Sequence, residues 1–378
     1  MNLRQRLIRF YMQTCNFLFG IDNDSVVFKS FDNQFSCNPR AICEKLYELN
    51  PNLKFYWIFS DPDSVSDKVP KYIIKIKEGT FSKLRILATS KIWVDNCIKV
   101  PSTWKSDKQF YIQTWHGDKA FKKIGYDAGK LSSDFEKYGP KFDLAISGSE
   151  YGRKKYINAY HYNGEILNVG TPRNDILVNI DENKIKKIKE SLNIDSKKKI
   201  LLYAPTFRDN KIENKQKFNG LNLKEILNKL KEKDNNEWVC LLRTHHLVKS
   251  GFDSDEISNN IIDVSDYDDM ADLLLISDMM ITDYSSCAGD YALTGRMLVL
   301  YQSDYEDYIK NSRTFYFDIE KSPYFIAKNQ EELLNIIKNI TPNEARKNCD
   351  EILEFYGSNE TGNSSQIIAE RILKEMKK

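Results

Sequence analysis

Short apolar runs alternate with segments of helical period along most of the chain. In the first half the runs are VVFKSF (25–30), FYWIFS (55–60), YIIKI (72–76), KIWVD (91–95), FYIQTW (110–115), FDLAISG (142–148) and EILNVG (165–170). Their β-branched and aromatic content predicts strands. Helices are expected between them, at Pro39–Leu49 with proline in the first turn, near Ser82–Ala88, over Phe121–Tyr138 and over Tyr151–Tyr160. A second series follows: KILLYAP (199–205), EWVCLLR (237–243), NIIDVS (260–265), MMITD (279–283) and MLVLY (297–301). Its helices are expected at Leu223–Glu232, Asp268–Ser277 and Ser286–Thr294, with three more closing the chain at Gln330–Asn339, Asn343–Phe355 and Ser364–Lys377. Strand and helix alternating in both halves predicts an α/β protein of two Rossmann-like parallel-sheet domains facing each other across a cleft.

The lysine-rich stretch DENKIKKIKESLNIDSKK (181–198) has little apolar face and precedes the second strand series, so it reads as the approach to an interdomain link. That places an N-terminal domain at 21–195 and a C-terminal domain at 196–378. Residues 1–20 stand apart. Leu3, Leu7, Phe10, Tyr11 and Leu18 fall near helical spacing, with Arg4, Gln5 and Arg9 elsewhere on the wheel. Such a basic amphipathic helix either lies on an anionic membrane surface or packs on its own domain.

The stretch Asp278–Tyr301 shows the alternation most sharply. Met279–Thr282 is apolar, Asp283-Tyr284-Ser285-Ser286 breaks it, Cys287–Thr294 has helical character, Gly295 stops it, and Met297–Tyr301 is apolar again. In parallel sheets such loops lie at the carboxyl ends of strands, where ligands bind. Ser285 and Ser286 then either cap a core helix or open a phosphate site on its N-terminus.

Composition narrows the classes. With 378 residues, 41% hydrophobic and 29% charged, the chain suits two globular cores. A net charge of +2 gives no basic excess of the kind nucleic-acid proteins carry. Seven scattered cysteines without a CxxC pair fit reduced thiols in a bacterial-type cytoplasm. No apolar run is long enough to span a bilayer.

Several polar clusters directly follow strands: Trp115-His116-Gly117-Asp118-Lys119, Gly170-Thr171-Pro172-Arg173-Asn174-Asp175, Thr206-Phe207-Arg208-Asp209 and Arg243-Thr244-His245-His246. His116 is the candidate general base, since an imidazole titrates near neutrality, although a hydrogen-bonded structural histidine fits as well. Arg243 and His245 project to one side of an extended segment and suit a diphosphate. His161 reads as a surface turn residue. The acidic run DVSDYDDMAD (263–272) invites a metal, but its residues span a strand end and a helix start; helix capping and ribose contacts account for it better.

The ordered set WHGDKAFKKIGYD (115–127), SGSEYGRKKY (147–156), GTPRND (170–175), YAPTFRD (203–209), LLRTHH (241–246), DVSDYDDMADLLLISDMMITDYSS (263–286) and FYGSNETGNSSQIIAERI (355–372) resembles the CDP-glycerol glycerophosphotransferase family, the teichoic-acid primases and polymerases of Gram-positive bacteria. The likeness runs from about Val26 to the last helix. It implies a GT-B fold and transfer of glycerol phosphate, or ribitol phosphate, from CDP-glycerol or CDP-ribitol to a hydroxyl of a lipid-linked acceptor, with release of CMP. It implies His116 as the base, and Asp118 is counted with it as a catalytic residue. The donor contacts it implies are Gly117, Lys119, Ala120, Arg173, Thr206, Phe207, Arg243, Thr244, His245, Ser285, Ser286 and Asp290. No metal site and no tightly bound cofactor are expected. A peripheral place on the cytoplasmic membrane face is implied, and a homo-oligomer is left open. The family's usual HGT-Pro is here His116-Gly117-Asp118-Lys119, so the Asp118 carboxylate would repel phosphate unless paired, with Lys119, Lys122 or Lys123 as candidates. A nucleotide-sugar transferase on the same scaffold is the alternative enzyme, and a non-catalytic scaffold the third reading.

Overall fold

The computed structural model describes residues 1–129, 131, 136–137, 139, 141–206, 221–244, 260–311 and 314–378. The chain divides into two compact units, each built on one parallel sheet.

The first unit comprises Met1–Asp118, Ile124–Asp175 and Ser358–Lys378. Its strands are β1 (Asp22–Lys29), β2 (Lys54–Phe59), β3 (Ile73–Lys77), β4 (Ser90–Asp95), β5 (Phe110–Gln113), β6 (Leu144–Ser147) and β7 (Glu165–Asn168), all parallel in the order β3-β2-β1-β4-β5-β6-β7. Side chains alternate between faces with a period of two. Val26, Phe28, Trp57, Ile92, Val94 and Ile112 pack on one side against Ile42 and Leu46 of helix Cys37–Leu49. Val27, Ile58, Trp93 and Tyr111 pack on the other against Met12 and Cys15 of helix Leu3–Phe19. Both faces are covered, which is why these strands read as nearly continuous apolar runs.

The second unit comprises Lys119–Lys123 and Ile176–Gly357. Its strands β8 (Lys199–Ala204), β9 (Trp238–Leu242), β10 (Ile261–Asp263), β11 (Met279–Thr282), β12 (Met297–Tyr301) and β13 (Phe325–Ala327) are parallel in the order β10-β9-β8-β11-β12-β13. Leu201, Tyr203, Cys240, Leu242, Ile281 and Val299 form one core with the helices Leu223–Asp234 and Gln330–Asn339. All seven cysteines are free thiols.

Three expectations change. The last helix, Ser364–Met376, belongs to the first unit, not the second: Ile368, Ala369 and Ile372 are buried in the core beneath β1 and β4. Its N-terminus is fixed there by Asp175, which accepts from the backbone N–H of Ser364 (3.0 Å) and Ser365 (2.8 Å). The unit boundary falls at Asp175/Ile176, so the lysine-rich helix Glu182–Ser191 is part of the second unit. Ile188 is buried there and Lys184 pairs with Asp272 at 3.6 Å. The helix expected over Phe121–Tyr138 does not form over Phe121–Gly129; of the residues described beyond, Glu136 and Lys137 are helical. Lys122 bridges to Phe315, and a 3-10 turn follows at Gly125–Ala128, bounded by Gly125 (φ +55°) and Gly129 (φ +64°). Phe121 is drawn instead into an aromatic cluster with Phe317 (5.3 Å) and Tyr324 (5.4 Å), which outweighs local helical period. The strand β13 is only three residues long, too short to carry a period of its own.

Candidate active site

In an open parallel sheet the crevice for ligand opens where strand order reverses. In the first sheet that point lies between β1 and β4. Their carboxyl ends lead into Phe31 and Asn96, and both residues touch His116, which follows β5. The Phe31 ring meets the imidazole edge-on at 5.1 Å, and the Asn96 carbonyl lies 2.7 Å from Nδ1. Trp115 stacks on the other side at 4.4 Å.

This packing sets the chemistry of His116. A carbonyl oxygen only accepts, so Nδ1 carries the proton and donates to Asn96, and Nε2 keeps its lone pair. Burial among aromatic rings pushes the imidazole pKa down to about 4; the Asn96 carbonyl opposes the shift and the Arg173 charge adds to it. His116 is therefore neutral near pH 7, the protonation state a general base needs. Trp115 has φ +51°, a left-handed conformation that costs an L-residue about 1–2 kcal/mol and persists only where its surroundings hold it.

Arg173 does not turn its Nη1 to open space. Nη1 donates to the His116 carbonyl (2.9 Å) and approaches the Cys37 sulfur (3.1 Å). Asp118 is buried, and the pairing with Lys119, Lys122 or Lys123 does not occur. Its two oxygens accept instead from the hydroxyls of Ser147 (2.8 Å) and Ser149 (2.5 Å). Both serines stand in the SGSEYGRKKY motif, but the sequence assigned neither a role. Gly117 is buried in the same loop, and Ala120 is half-buried just beyond it.

The second sheet reverses between β8 and β11. Thr206 and Asp283, which follow these strands, are joined: the Thr206 N–H donates to both Asp283 oxygens at 2.9 and 3.0 Å. Asp283 also takes the Tyr284 N–H at 2.5 Å, so one carboxylate ties two strand ends. Ser285 and Ser286 come next and are half-buried. Ser286 does not act as a side-chain cap: its backbone is already helical (φ −63°, ψ −19°) and its hydroxyl makes no capping bond. The helix is short, Cys287–Tyr291, and passes into a 3-10 turn that Gly295 ends at φ +64°. Arg243 follows β9 and donates from Nη1 to the Tyr267 carbonyl at 2.7 Å; burial lowers its pKa and Asp269 opposes the shift. The Thr244 N–H and hydroxyl both meet Ser265 Oγ at 3.0 Å.

Lys119 and Asp290 are brought together as an ion pair at 3.6 Å, with both side chains buried. The stem of Lys119 crosses Gly289, where a Cβ would come within 2.7 Å of it. In the acidic run Asp263 accepts from the Ser265 N–H (2.8 Å), Asp269 caps helix Met270–Ile276 through the Ala271 N–H (3.0 Å), and Asp272 meets the Tyr267 hydroxyl (3.3 Å). Phe207 and His245 lie outside the described residues.

Residues 9–374 match the family described as CDP-Glycerol:Poly(glycerophosphate) glycerophosphotransferase. The chain is 32% identical to a teichoic acid poly(glycerol phosphate) polymerase of Staphylococcus epidermidis over 93% of its own length, and it spans about half (51%) of that relative. It is also 32% identical to the polymerase of that name from Bacillus spizizenii, covering 99% of this chain and 98% of the relative. Among solved structures, that of the wall teichoic acid polymerase TagF superposes with a TM-score of 0.84 at 30% identity, covering 99% of this chain and 94% of the other. Its two parallel-sheet units are thus those of a GT-B-like polymerase. The chain belongs to the CDP-glycerol:poly(glycerophosphate) glycerophosphotransferase family.

Proposed function

We propose that the chain transfers a polyol phosphate, glycerol phosphate or ribitol phosphate, from a CDP-alcohol to a hydroxyl of a lipid-linked acceptor in teichoic acid or capsular polymer synthesis. The acceptor hydroxyl gives its proton to Nε2 of His116 as its oxygen attacks the β-phosphorus of the donor. A new O–P bond forms, the bond to the bridging oxygen breaks, and CMP leaves with that electron pair. The observation that carries this reading is His116 itself, neutral, with Nδ1–H spent on the Asn96 carbonyl and Nε2 left as the basic atom. Thr206, Arg243, Thr244, Ser285 and Ser286, grouped at strand carboxyl ends in the second unit, are the proposed donor contacts, with the Arg243 cation suited to the diphosphate. Phe207 and His245 stay in that set by position in the sequence.

Helix Leu3–Phe19 supports a peripheral place on the cytoplasmic membrane face. One of its faces docks through Met12 and Cys15, while Leu3, Leu7, Phe10, Phe17 and Leu18 stay exposed, Phe17 at 87%. Among the described residues no helix is long and apolar enough to cross a membrane. The test of function is CMP release from CDP-glycerol and, separately, CDP-ribitol, with and without a synthetic lipid-linked disaccharide. Acceptor-dependent CMP from one donor is expected and names the polyol. No CMP from either, together with no stabilisation of the protein by cytidine nucleotides, overturns the proposal.

A further inference from the structure

The loop that carries His116 is held at every residue. Asn38 donates from Nδ2 to the carbonyls of Thr114 (3.2 Å) and Trp115 (2.9 Å), Arg173 to that of His116 (2.9 Å), and Lys155 to that of Gly117 (3.3 Å). The Asn38 oxygen in turn accepts from the Arg173 N–H at 3.2 Å. Asn38 and Lys155 are buried, so these contacts are shielded from competing water. The row ends at Asp118, whose carboxylate takes the hydroxyls of Ser147 and Ser149. Ser149 is also the N-cap of helix Glu150–Ala159 through the Gly152 N–H at 2.9 Å, so the carboxylate sits beside that helix's first turn, where negative charge is favoured. Gly152 makes room for it, because a Cβ there would overlap Asp118 Oδ1.

We propose that Asp118 is a positioning residue for His116: seated on Ser147 and Ser149, it fixes the far end of the loop and so keeps the left-handed Trp115 and the Nδ1–H bond to Asn96 in register. This rests on the reading of His116 as the base. Two carboxylate oxygens receive both serine hydroxyls at once, whereas the single hydroxyl oxygen of a threonine at this place offers one centre for both. The negative charge that would repel a phosphate is turned instead into the first unit's own hydrogen bonds. Asp118 thereby acts through the loop and not on the reacting atoms.

The experiment compares wild type, Asp118→Ala, Asp118→Asn, Ser147→Ala and His116→Ala in the full chain. Acceptor-dependent CMP release gives kcat and donor KM, and ¹⁵N-histidine NMR gives the His116 tautomer. Asp118→Ala is expected to lower kcat roughly 10-fold or more with donor KM within about 2-fold, the scale at which loop misplacement acts. The His116 ¹⁵N signals should shift from the Nδ1-protonated pattern towards a tautomer mixture. Asp118→Asn, which keeps one acceptor oxygen, should recover most of kcat, with Ser147→Ala falling between. If Asp118→Ala does not fold, Ser147→Ala, read by kcat and by the His116 tautomer, carries the same test. Unchanged kcat and unchanged tautomer in folded Asp118→Ala, or in Ser147→Ala where Asp118→Ala does not fold, with His116→Ala inactive, overturn the positioning role and leave the base intact. Full activity of His116→Ala overturns the base reading itself.

Discussion

The imidazole of His116 combines an aromatic enclosure that disfavours its charged form with a backbone carbonyl that fixes its tautomer. A base acts deprotonated, so falling pH removes activity only as the imidazole gains a proton. With the pKa pushed from 6.5 down to about 4, the acid limb of kcat/KM governed by this group should lie well below pH 6. A limb centred near 6.5 in a pH–rate profile would contradict the assignment. Replacing His116 with Gln should cut turnover by about 10²-fold or more, with CDP affinity nearly unchanged by calorimetry. The buried Lys119–Asp290 pair makes a different statement. Lys119→Met removes the ammonium beside a carboxylate already out of water, and should cost about 3–5 kcal/mol in denaturant unfolding. A cost under about 1 kcal/mol would show that the site takes in water or a counter-ion. Sequence made His116 legible because an imidazole in that motif stands out; it gave no role to Asn96, Asn38, Ser147 or Ser149, whose roles arise from strands distant in the chain.

At the scale of elements, helix Leu3–Phe19 packs on its own domain, the second of the two alternatives, and leaves an apolar side exposed. Ile8, Tyr11, Met12 and Cys15 face the domain; Arg9 donates to the Pro101 and Thr103 carbonyls at 3.2 and 3.3 Å, and Asn16 to the Ala88 carbonyl at 2.8 Å. The opposite side remains apolar and uncovered. Replacing Leu7 and Phe10 with Glu should therefore abolish sedimentation with anionic phosphatidylglycerol vesicles while changing stability by less than about 0.5 kcal/mol per site, since exposed positions contribute little to folding. Retained vesicle binding by the folded double variant would exclude this face as the contact. The Ser285-Ser286 loop shows the reverse limit of local reading. Its sequence looks like a capping signal, yet Ser286 makes no capping bond; Asp283 holds the turn through the Thr206 and Tyr284 N–H groups, while the Ser285 hydroxyl takes the Cys287 thiol at 3.0 Å and its N–H at 3.5 Å.

At the scale of the whole chain, order in sequence and membership in a unit diverge at two places. Residues Lys119–Lys123 and the last helix each lie in the unit opposite to the one their neighbours in sequence suggest. The last helix adds Ile368 and Ile372 to the first core, both fully buried. Ile372→Ala should cost about 2–5 kcal/mol, read as lost amide protection in β1 and β4 during hydrogen exchange with the second sheet unaffected. Loss of protection confined to the second unit would contradict the assignment of this helix.

The sequence by itself determined the fold class and most of the elements, because a strand buried on both faces must be apolar throughout and a covering helix must repeat near 3.6 residues. It also determined the family, through polar motifs at strand ends whose order survives without any knowledge of contacts. Only the tertiary structure decided what those polar residues touch. That Asp118 meets two serines, that Lys119 meets Asp290, that Arg173 grips the His116 carbonyl, and that the C-terminal helix returns to the first core all depend on pairings across tens to hundreds of residues. Local propensity acts over a few residues along the chain, whereas these hydrogen bonds and buried surfaces exist only once the parallel strands have brought their carboxyl ends together.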